Sequence, residues 1–349
     1  MRQIKYLIAA LLILLTCSGF QFIGGRPPSG GGADPYADGD CFVDPDATGA
    51  EDGTSWEDAY TSLSDAESQN LNITAAGGDT DDEYVIYCRS SSGTADTPPA
   101  TPNEIDFSGW TSDSTHRVKV IAHLNDRHDG KWNTSVYRLD NGIQLRCGFI
   151  TIEGLQITSG TVSEPINTGD FDGIIISGNV LKVTDADNTT AIVDLGLLSS
   201  AGHEVYVYNN VIYGDGVISQ RGIFGTSSDP TYYLYNNTIY NCAEGVDFKY
   251  YETNVYAVNN AVFGCTDDFV RGASFATCDY NASDDGDGTN SVSPADWSNV
   301  FEDYANGDFH LASGDTDLTD AGDDLSSTFT DDYEGDTRSG TWDIGADEK

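Results

Sequence analysis

Five stretches of the chain repeat one pattern of apolar and polar positions. They are FITIEGLQI (149–157), IIISGNVLKV (174–183), VYVYNNVIYG (205–214), YYLYNNTIYN (232–241) and VYAVNNAVFG (255–264). Each alternates β-branched, aromatic and aliphatic residues, breaks at Gly or Asn, and resumes as a second short apolar run. Period-2 alternation predicts strands with one buried face. The Gly/Asn break predicts a bend, because both residues tolerate positive φ. Taking Gly154, Asn179, Asn210, Asn237 and Asn260 as anchors, the spacings are 25, 31, 27 and 23 residues. No helical periodicity lies between the repeats, which argues against a parallel sheet made from βαβ units. A closed coil of short strands, rising about 4.8 Å per turn, satisfies the pattern. Asn179, Asn210, Asn237 and Asn260 then form an inward ladder, each amide bonding to the turn of the next coil. The rival is an antiparallel β-sandwich in which NN marks hairpin turns. A propeller needs longer units.

Around this core, HRVKVIAHL (116–124) and SVYRL (135–139) predict earlier, less regular coils, and FATCDYNAS (275–283) predicts the last rung. The expected fold class is all-β, a parallel β-helix solenoid of about seven or eight coils, with coils over 116–283. Both ends need covers. Residues 41–115 read as the N-terminal cap and first strands; in them Thr54-Ser55-Trp56-Glu57-Asp58 reads as a helix start with Ser55 as cap, and Trp56, Tyr60, Leu63 and Ala66 as its apolar stripe. At the other end, residues 279–349 hold 20 acids and two bases, Arg338 and Lys349, with many turn signals. Residues 284–349 read as an acidic closing segment.

Charge and the N-terminus narrow the setting. Arg2 and Lys5 precede an apolar run from Tyr6 to Thr16, which predicts a signal peptide over 1–17 followed by a Gly/Pro/Ser-rich linker over 18–40. Leu14-Leu15-Thr16-Cys17 resembles a lipoprotein box, although Thr16 departs from the small residue usual there; lipidation of Cys17 and ordinary cleavage just beyond it both stay open. The chain carries 57 acidic and 16 basic residues, a net charge of −41. That charge repels nucleic acid and anionic lipid, so neither is an expected partner; a polysaccharide or cell-surface polymer is a candidate on other grounds given below. Six cysteines remain beyond Cys17, with no CxxC or Cys/His pattern. Cys242 and Cys265 each lie five residues past an anchor, so adjacent coils place them together as a candidate disulfide.

CFVDPDATGAEDGTSWEDAYTSLSDA (41–66), the coil pattern and the ending DYEGDTRSGTWDIGADEK (332–349) together resemble a large set of exported bacterial right-handed β-helix proteins of the pectate-lyase-like superfold. The resemblance implies a right-handed helix and export. It implies no single activity, because the superfold includes lyases, hydrolases, epimerases, tailspikes and adhesins.

Chemistry is sparse. Asn167-Thr168-Gly169-Asp170 and Asp267-Asp268 echo hydrolase carboxylate motifs, but the chain has no GHG, RIK or DPHD motif. His116, His123, His128, His203 and His310 show no metal-ligand spacing. A lyase needs an Arg or Lys base beside a cation. Counted forward from the anchors, Arg221, Lys249 and Arg271 fall at 11, 12 and 11 residues and would make a basic column; counted backward from the next anchor, Arg221 matches Glu244 instead. Asp284, Asp285 and Asp287 offer the oxygen density that Ca²⁺ takes, without an EF-hand's distal glutamate. Outward tyrosines among Tyr206, Tyr208, Tyr213, Tyr233, Tyr235 and Tyr240 could stack on sugars. The leading expectation is therefore a secreted or surface-attached protein that binds glycans or another surface without catalysis. A polysaccharide lyase or glycoside hydrolase acting on an acidic polysaccharide comes next, then a structural or assembly element.

Overall fold

A computed structural model describes residues 41–74, 83–98, 105–158, 164–183, 191–196, 201–216, 220–227, 229–248, 254–270 and 274–349. Residues 1–17 and 18–40, read above as a signal peptide and a linker, lie outside the described residues, as do Lys249 and Arg271. Three long sheets, all parallel, wrap one core. The first has nine strands, in chain order from Cys41–Val43 and Glu83–Cys88 through Ile150–Glu153, Ile174–Ser177, Glu204–Tyr208, Thr231–Tyr235 and Val255–Val258 to Thr277–Asp279. The second has six strands, from Gln156–Thr158 to Ala282–Ser283, and the third has seven, from Ile105–Asp106 to Asp267–Val270. Strands of one sheet come from successive coils, so the chain is a parallel β-helix, with the right-handed winding that parallel connections take. The nine-stranded sheet exceeds the seven or eight expected coils, because Cys41–Val43 and Glu83–Cys88 join it ahead of the recognisable repeat. SVYRL contributes no named strand. Its Leu139 instead bridges Ile157 and Asp96, continuing the second sheet upstream.

The core follows from register. Cys41, Ile86, Val120, Ile152, Ile176, Val207, Leu234, Ala257 and Cys278 stack as one column through the first sheet. All nine are buried. Each such aliphatic side chain withdrawn from water contributes about 1.5–3 kcal/mol, and slipping any strand by one residue would turn that column outward.

Between the first and second sheets the chain turns through Gly154, Gly178, Asn209, Asn236, Asn259 and Tyr280, all at positive φ. The residue after each of the last five turns inward. Asn179 Nδ2 donates to Asn210 Oδ1 at 3.0 Å, Asn210 to Asn237 at 3.0 Å, Asn237 to Asn260 at 2.9 Å, and Asn260 to Asn281 at 3.0 Å. The same acceptor oxygens also take the backbone N–H of the preceding asparagine. Each Nδ2 reaches a main-chain carbonyl too, Ile152, Ile176, Val207, Leu234 and Ala257 in turn. Asn281, unremarked in the sequence, closes the stack.

The N-terminal helix is shorter and later than expected. It spans Leu63–Glu67, capped by Ser62, with Leu63 and Ala66 buried. Ser55 Oγ does accept the Asp58 N–H at 3.1 Å, but no helix follows. Tyr60 is drawn into backbone bonds with Phe42 and Asp44 at the edge of the first sheet, so the cover there is partly a strand. Within it, Leu63 N–H and Tyr137 hydroxyl both donate to Asp96, a wholly buried carboxyl.

At the far end, Thr289 and Val292 bridge Asp279 and Ala282 and close the last coil. The rest of the acidic segment is not an end cover. It doubles back along the flank as a strap: Trp297 stacks on Phe263, Phe309 lies against Tyr240 and Tyr213, and Tyr333 stacks with His128 near the third coil. The strap buries the outward residues of the second sheet, Val180, Val211, Ala261 and Ala282, under Phe301, Leu311, Leu318 and Ile344. It docks on the turn asparagines. Asn209 Nδ2 donates to Asp331 O, Asn236 Nδ2 to Asp343 O and Gly345 O, and Asn259 Nδ2 to Asp323 O. Buried Arg338 ties Asn209 Oδ1, Gly345 O, Ala346 O and Glu348 together. The DIGADE ending is therefore a clasp. Gly345 has φ 102°, and its N–H reaches Asn259 O at 2.8 Å.

Two stability tests follow. Asn237→Ala strips partners from Asn210 and Val207 O; with each orphaned buried group costing about 1–3 kcal/mol, its thermal midpoint falls well below that of Asn299→Ala, a change at an exposed side chain. Equal midpoints would contradict the ladder. Gly345→Ala puts a Cβ 3.0 Å from Thr238 Oγ1 at a φ unsuited to L-residues, and the expected loss of about 1–3 kcal/mol is read as earlier proteolysis of the strap than of the coils.

Candidate functional site

The basic column does not form through Arg221. Strand register sets Arg221 against Ala191 on one side and Glu244, then Asp267, on the other. Loops of unequal length separate the coils, so no single count from the anchors keeps register: counting backward aligns Arg221 with Glu244, and counting forward aligns Glu244 with Asp267. Arg221 Nε donates to Glu244 at 2.8 Å and to buried Asp247 at 2.6 Å, with its guanidinium over Phe224. A cation held this way is a strut between coils, not an available base.

The acidic loop is also used internally. Asp284 Oδ2 accepts the Gly264 N–H at 2.9 Å, and Oδ1 accepts the Trp297 indole N–H at 2.5 Å. Ser283 Oγ caps Gly286 and Asp287 N–H, and Asp285 is exposed. Among the described residues these three carboxylates form no group of convergent ligand atoms; Asp284 ties the last coils to the strap. Next to them Asp268 is buried, takes the Asp284 N–H at 2.7 Å, and is pushed up to about 7 by burial. Cys242 and Cys265 follow the paired residues Tyr240 and Phe263 by two positions, and both are free thiols. Contact with Cys242, then burial, raises the Cys265 thiol well above its ordinary range. The two side chains are neighbours on adjacent coils, as the spacing implies. Asp170 of the hydrolase-like motif pairs with His203 at 3.2 Å.

Aromatic side chains gather on the outer face of the first sheet. Ile175, Tyr206, Tyr233 and Tyr256 stand in register and half-buried. Tyr206 and Tyr233 stack with ring centroids 4.5 Å apart, and Tyr233 and Tyr256 at 5.4 Å. Glu204 accepts from the Tyr206 hydroxyl at 3.2 Å. The next register column, Tyr208, Tyr235 and Val258, is covered by Phe329 and Trp342 of the strap, with Leu325 beside it. The tyrosine row therefore lies along a wall that the strap supplies, a relation invisible in strand alternation alone. Where strap and sheet meet, a pocket is lined by Arg127, Glu153, Ser177, Tyr208, Phe329 and Asp331. Arg127 pairs with Glu153 at 3.5 Å, and burial raises Asp331 and, to about 7, its neighbour Asp332.

One trio has convergent metal-ligand atoms among the described residues: His310, Glu334 and Asp347, with those atoms within 4.8 Å of one another. Hydrogen bonds to the Glu334 and Asp308 carboxylates raise His310 to about 9.

No family model matches the chain, and no curated protein matches it. A solved structure, the crystal structure of pectate lyase Pel9A, aligns over 88% of this chain and 96% of that chain, at 14% identity and a TM-score of 0.45.

The buried acids give a pH prediction. Burial lifts Asp96 to about 6, and Asp268 and Glu67 to about 7. A carboxyl with a raised folded-state pKa stabilises most below its unfolded pKa of about 4 and loses that contribution as pH climbs through the folded value. Buried His128, pulled down to about 3 chiefly by burial, works in the opposite sense but is one group against these acids and Asp332, raised to about 7. The thermal midpoint is expected to be higher near pH 5 than near pH 8, and Asp268→Asn to flatten the difference. A midpoint that rises over this interval would contradict the assignment.

Proposed function

We propose that this protein binds an extended polysaccharide along the outer face of the first sheet without cutting it, outside the cell that makes it. One observation carries the reading: Tyr206, Tyr233 and Tyr256 form a half-exposed row beside a raised wall, and Arg127, at the foot of that wall, is already paired with Glu153. Successive coils repeat along the solenoid axis, so a row of equivalent side chains matches a ligand that is itself a repeat. Because the rings stack on one another, the row offers edges and hydroxyls along its length and open ring faces at its ends. Such a strip is apolar enough to pack the C–H face of a sugar and polar enough to hydrogen-bond its hydroxyls. Affinity is modest, since a shallow strip buries little ligand area. Glu204 beside the row and the net charge of −41 favour neutral or cationic glycans over polyuronates.

In affinity electrophoresis against a panel of neutral and acidic polysaccharides, a neutral or cationic polymer should retard the protein. Tyr233→Ala is expected to weaken that retardation about tenfold, a loss of about 1.4 kcal/mol, with the thermal midpoint little changed. Release of unsaturated, ultraviolet-absorbing products from pectate or alginate would instead establish a lyase. Failure to bind any polymer would favour an assembly role.

A further inference from the structure

We infer that His310, Glu334 and Asp347 form a binding site for a divalent transition-metal ion, of which zinc is the type, and that the ion clasps the strap. The three residues come from separate parts of it: the strand Asp308–Leu311, the turn that follows Asp332, and the final residues of the chain. Their candidate ligand atoms lie within 4.8 Å of one another. His310 Nε2 and Glu334 Oε2 are 3.3 Å apart, close to the edge of about 3.4 Å that two ligands span around a tetrahedral centre with bonds of about 2.1 Å.

The surroundings are those of a built ligand set. A metal-binding imidazole characteristically gives its other ring N–H to a carboxylate, which fixes its orientation and leaves one nitrogen for the ion. Here Asp308 Oδ1 meets His310 Nδ1 at 2.6 Å, turning Nε2 toward Glu334 and Asp347. Asp308 is held in turn by Lys131 Nζ at 2.6 Å, a residue of the coil body. The buried Asp347 carboxylate is steadied by the Leu311 N–H at 2.6 Å. Independently, Tyr333, adjacent to Glu334, is wholly buried with a hydroxyl that makes no hydrogen bond, and its ring lies 5.9 Å from that of His310. His310 and Glu334 remain partly exposed, so an ion can enter from solvent and keep a water as its fourth ligand.

One imidazole nitrogen with two carboxylates suits zinc and its first-row neighbours. It does not suit Ca²⁺, which takes six to eight oxygens. The position gives the ion a consequence. It would join the strap's hairpin to the clasp at the chain end, beside Lys131, and so hold the cover over the second sheet closed.

The test uses the whole mature chain, stripped with a chelator and titrated with zinc chloride near neutral pH. The expected result is one zinc per chain at micromolar affinity or tighter, with a raised thermal midpoint and slower proteolysis of the strap. Cobalt bound at the same stoichiometry should give a visible spectrum of low-coordinate form. His310→Ala should weaken zinc at least a hundredfold and abolish that spectrum; Asp308→Asn, a positioning change, should weaken it about 10- to 100-fold. His203→Ala, at an ion pair elsewhere, should bind as the parent does. Because His310→Ala could loosen the strap by itself, Glu334→Gln, at a half-exposed position, serves as the second variant, and the metal-free midpoint of each is compared with the parent's. No zinc binding below millimolar concentration would overturn the inference. So would undiminished binding by folded His310→Ala and Glu334→Gln.

Discussion

Each interior asparagine is shared between coils: its amide oxygen takes two N–H groups from the coil before, and its amide nitrogen donates both onward to the next asparagine and back to a main-chain carbonyl. The rest of the molecule depends on this stack. A coil that passes from one sheet to another must leave the strand ladder, and the bend strands backbone groups inside the core. Buried and unpaired, such groups would cost more than neighbouring apolar contacts return. The asparagine supplies the missing partners at every turn, from Leu155 N–H at the start to Ala257 O at the end. Because each amide bonds to both neighbours, the stack also sets register, and register decides which side chains reach the surface. The tyrosine row, the Arg221 strut and the paired thiols all inherit their positions from it.

The acidity has a second architectural origin. The strap has little regular structure, and its backbone amides find partners in its own carboxylates. Asp332 Oδ1 accepts the N–H groups of Glu334, Gly335 and Asp336. Asp315 accepts those of Asp317, Leu318 and Thr319. Asp343, Asp347 and Glu348 take those of Asp320, Leu311 and Ser339. Many of the 20 acids after residue 278 are thus the hydrogen-bond acceptors of a segment that lacks a ladder. Their charge is met locally by Arg338, which is fully buried and lies near Trp342.

What was legible in the sequence follows the same division. The coils declare themselves because period-2 alternation and a repeated Asn report two local constraints, burial of one face and a left-handed turn. Asn281 escaped notice because its rung, FATCDYNAS, lacks a doubled Asn and puts Tyr280 in the positive-φ position. The N-terminal helix was placed too early because the Ser55–Asp58 bond is real but serves a bend, and pairing at the sheet edge overrode helix propensity. Two alignments of Arg221 stay open in the sequence because loops of different length intervene between anchors, and strand pairing selects the one with Glu244. His310, Glu334 and Asp347 are separated by 24 and 13 residues and meet only because the strap folds back, a step with no period to read. The ending DIGADE was recognisable as a motif before its reason was: Ile344 fills the flank, Gly345 fits against Thr238 and Ala261, and its acids close the strap's backbone.

These constraints leave little surface for recognition. The strap covers the second sheet and the adjoining edge of the first, and the third sheet carries the charged row Arg221, Glu244 and Asp267, in which Arg221 is engaged by acids. Among the described residues, this leaves the outer row of the first sheet, bounded on one side by Phe329 and Leu325. A ligand there meets a linear array whose spacing is set by the coils. An extended polymer can engage several equivalent positions at once, each contributing a small free energy, whereas a compact ligand meets only one. On the proposed reading, the architecture that stabilises the solenoid, one coil repeated upon another, also selects the shape of the ligand.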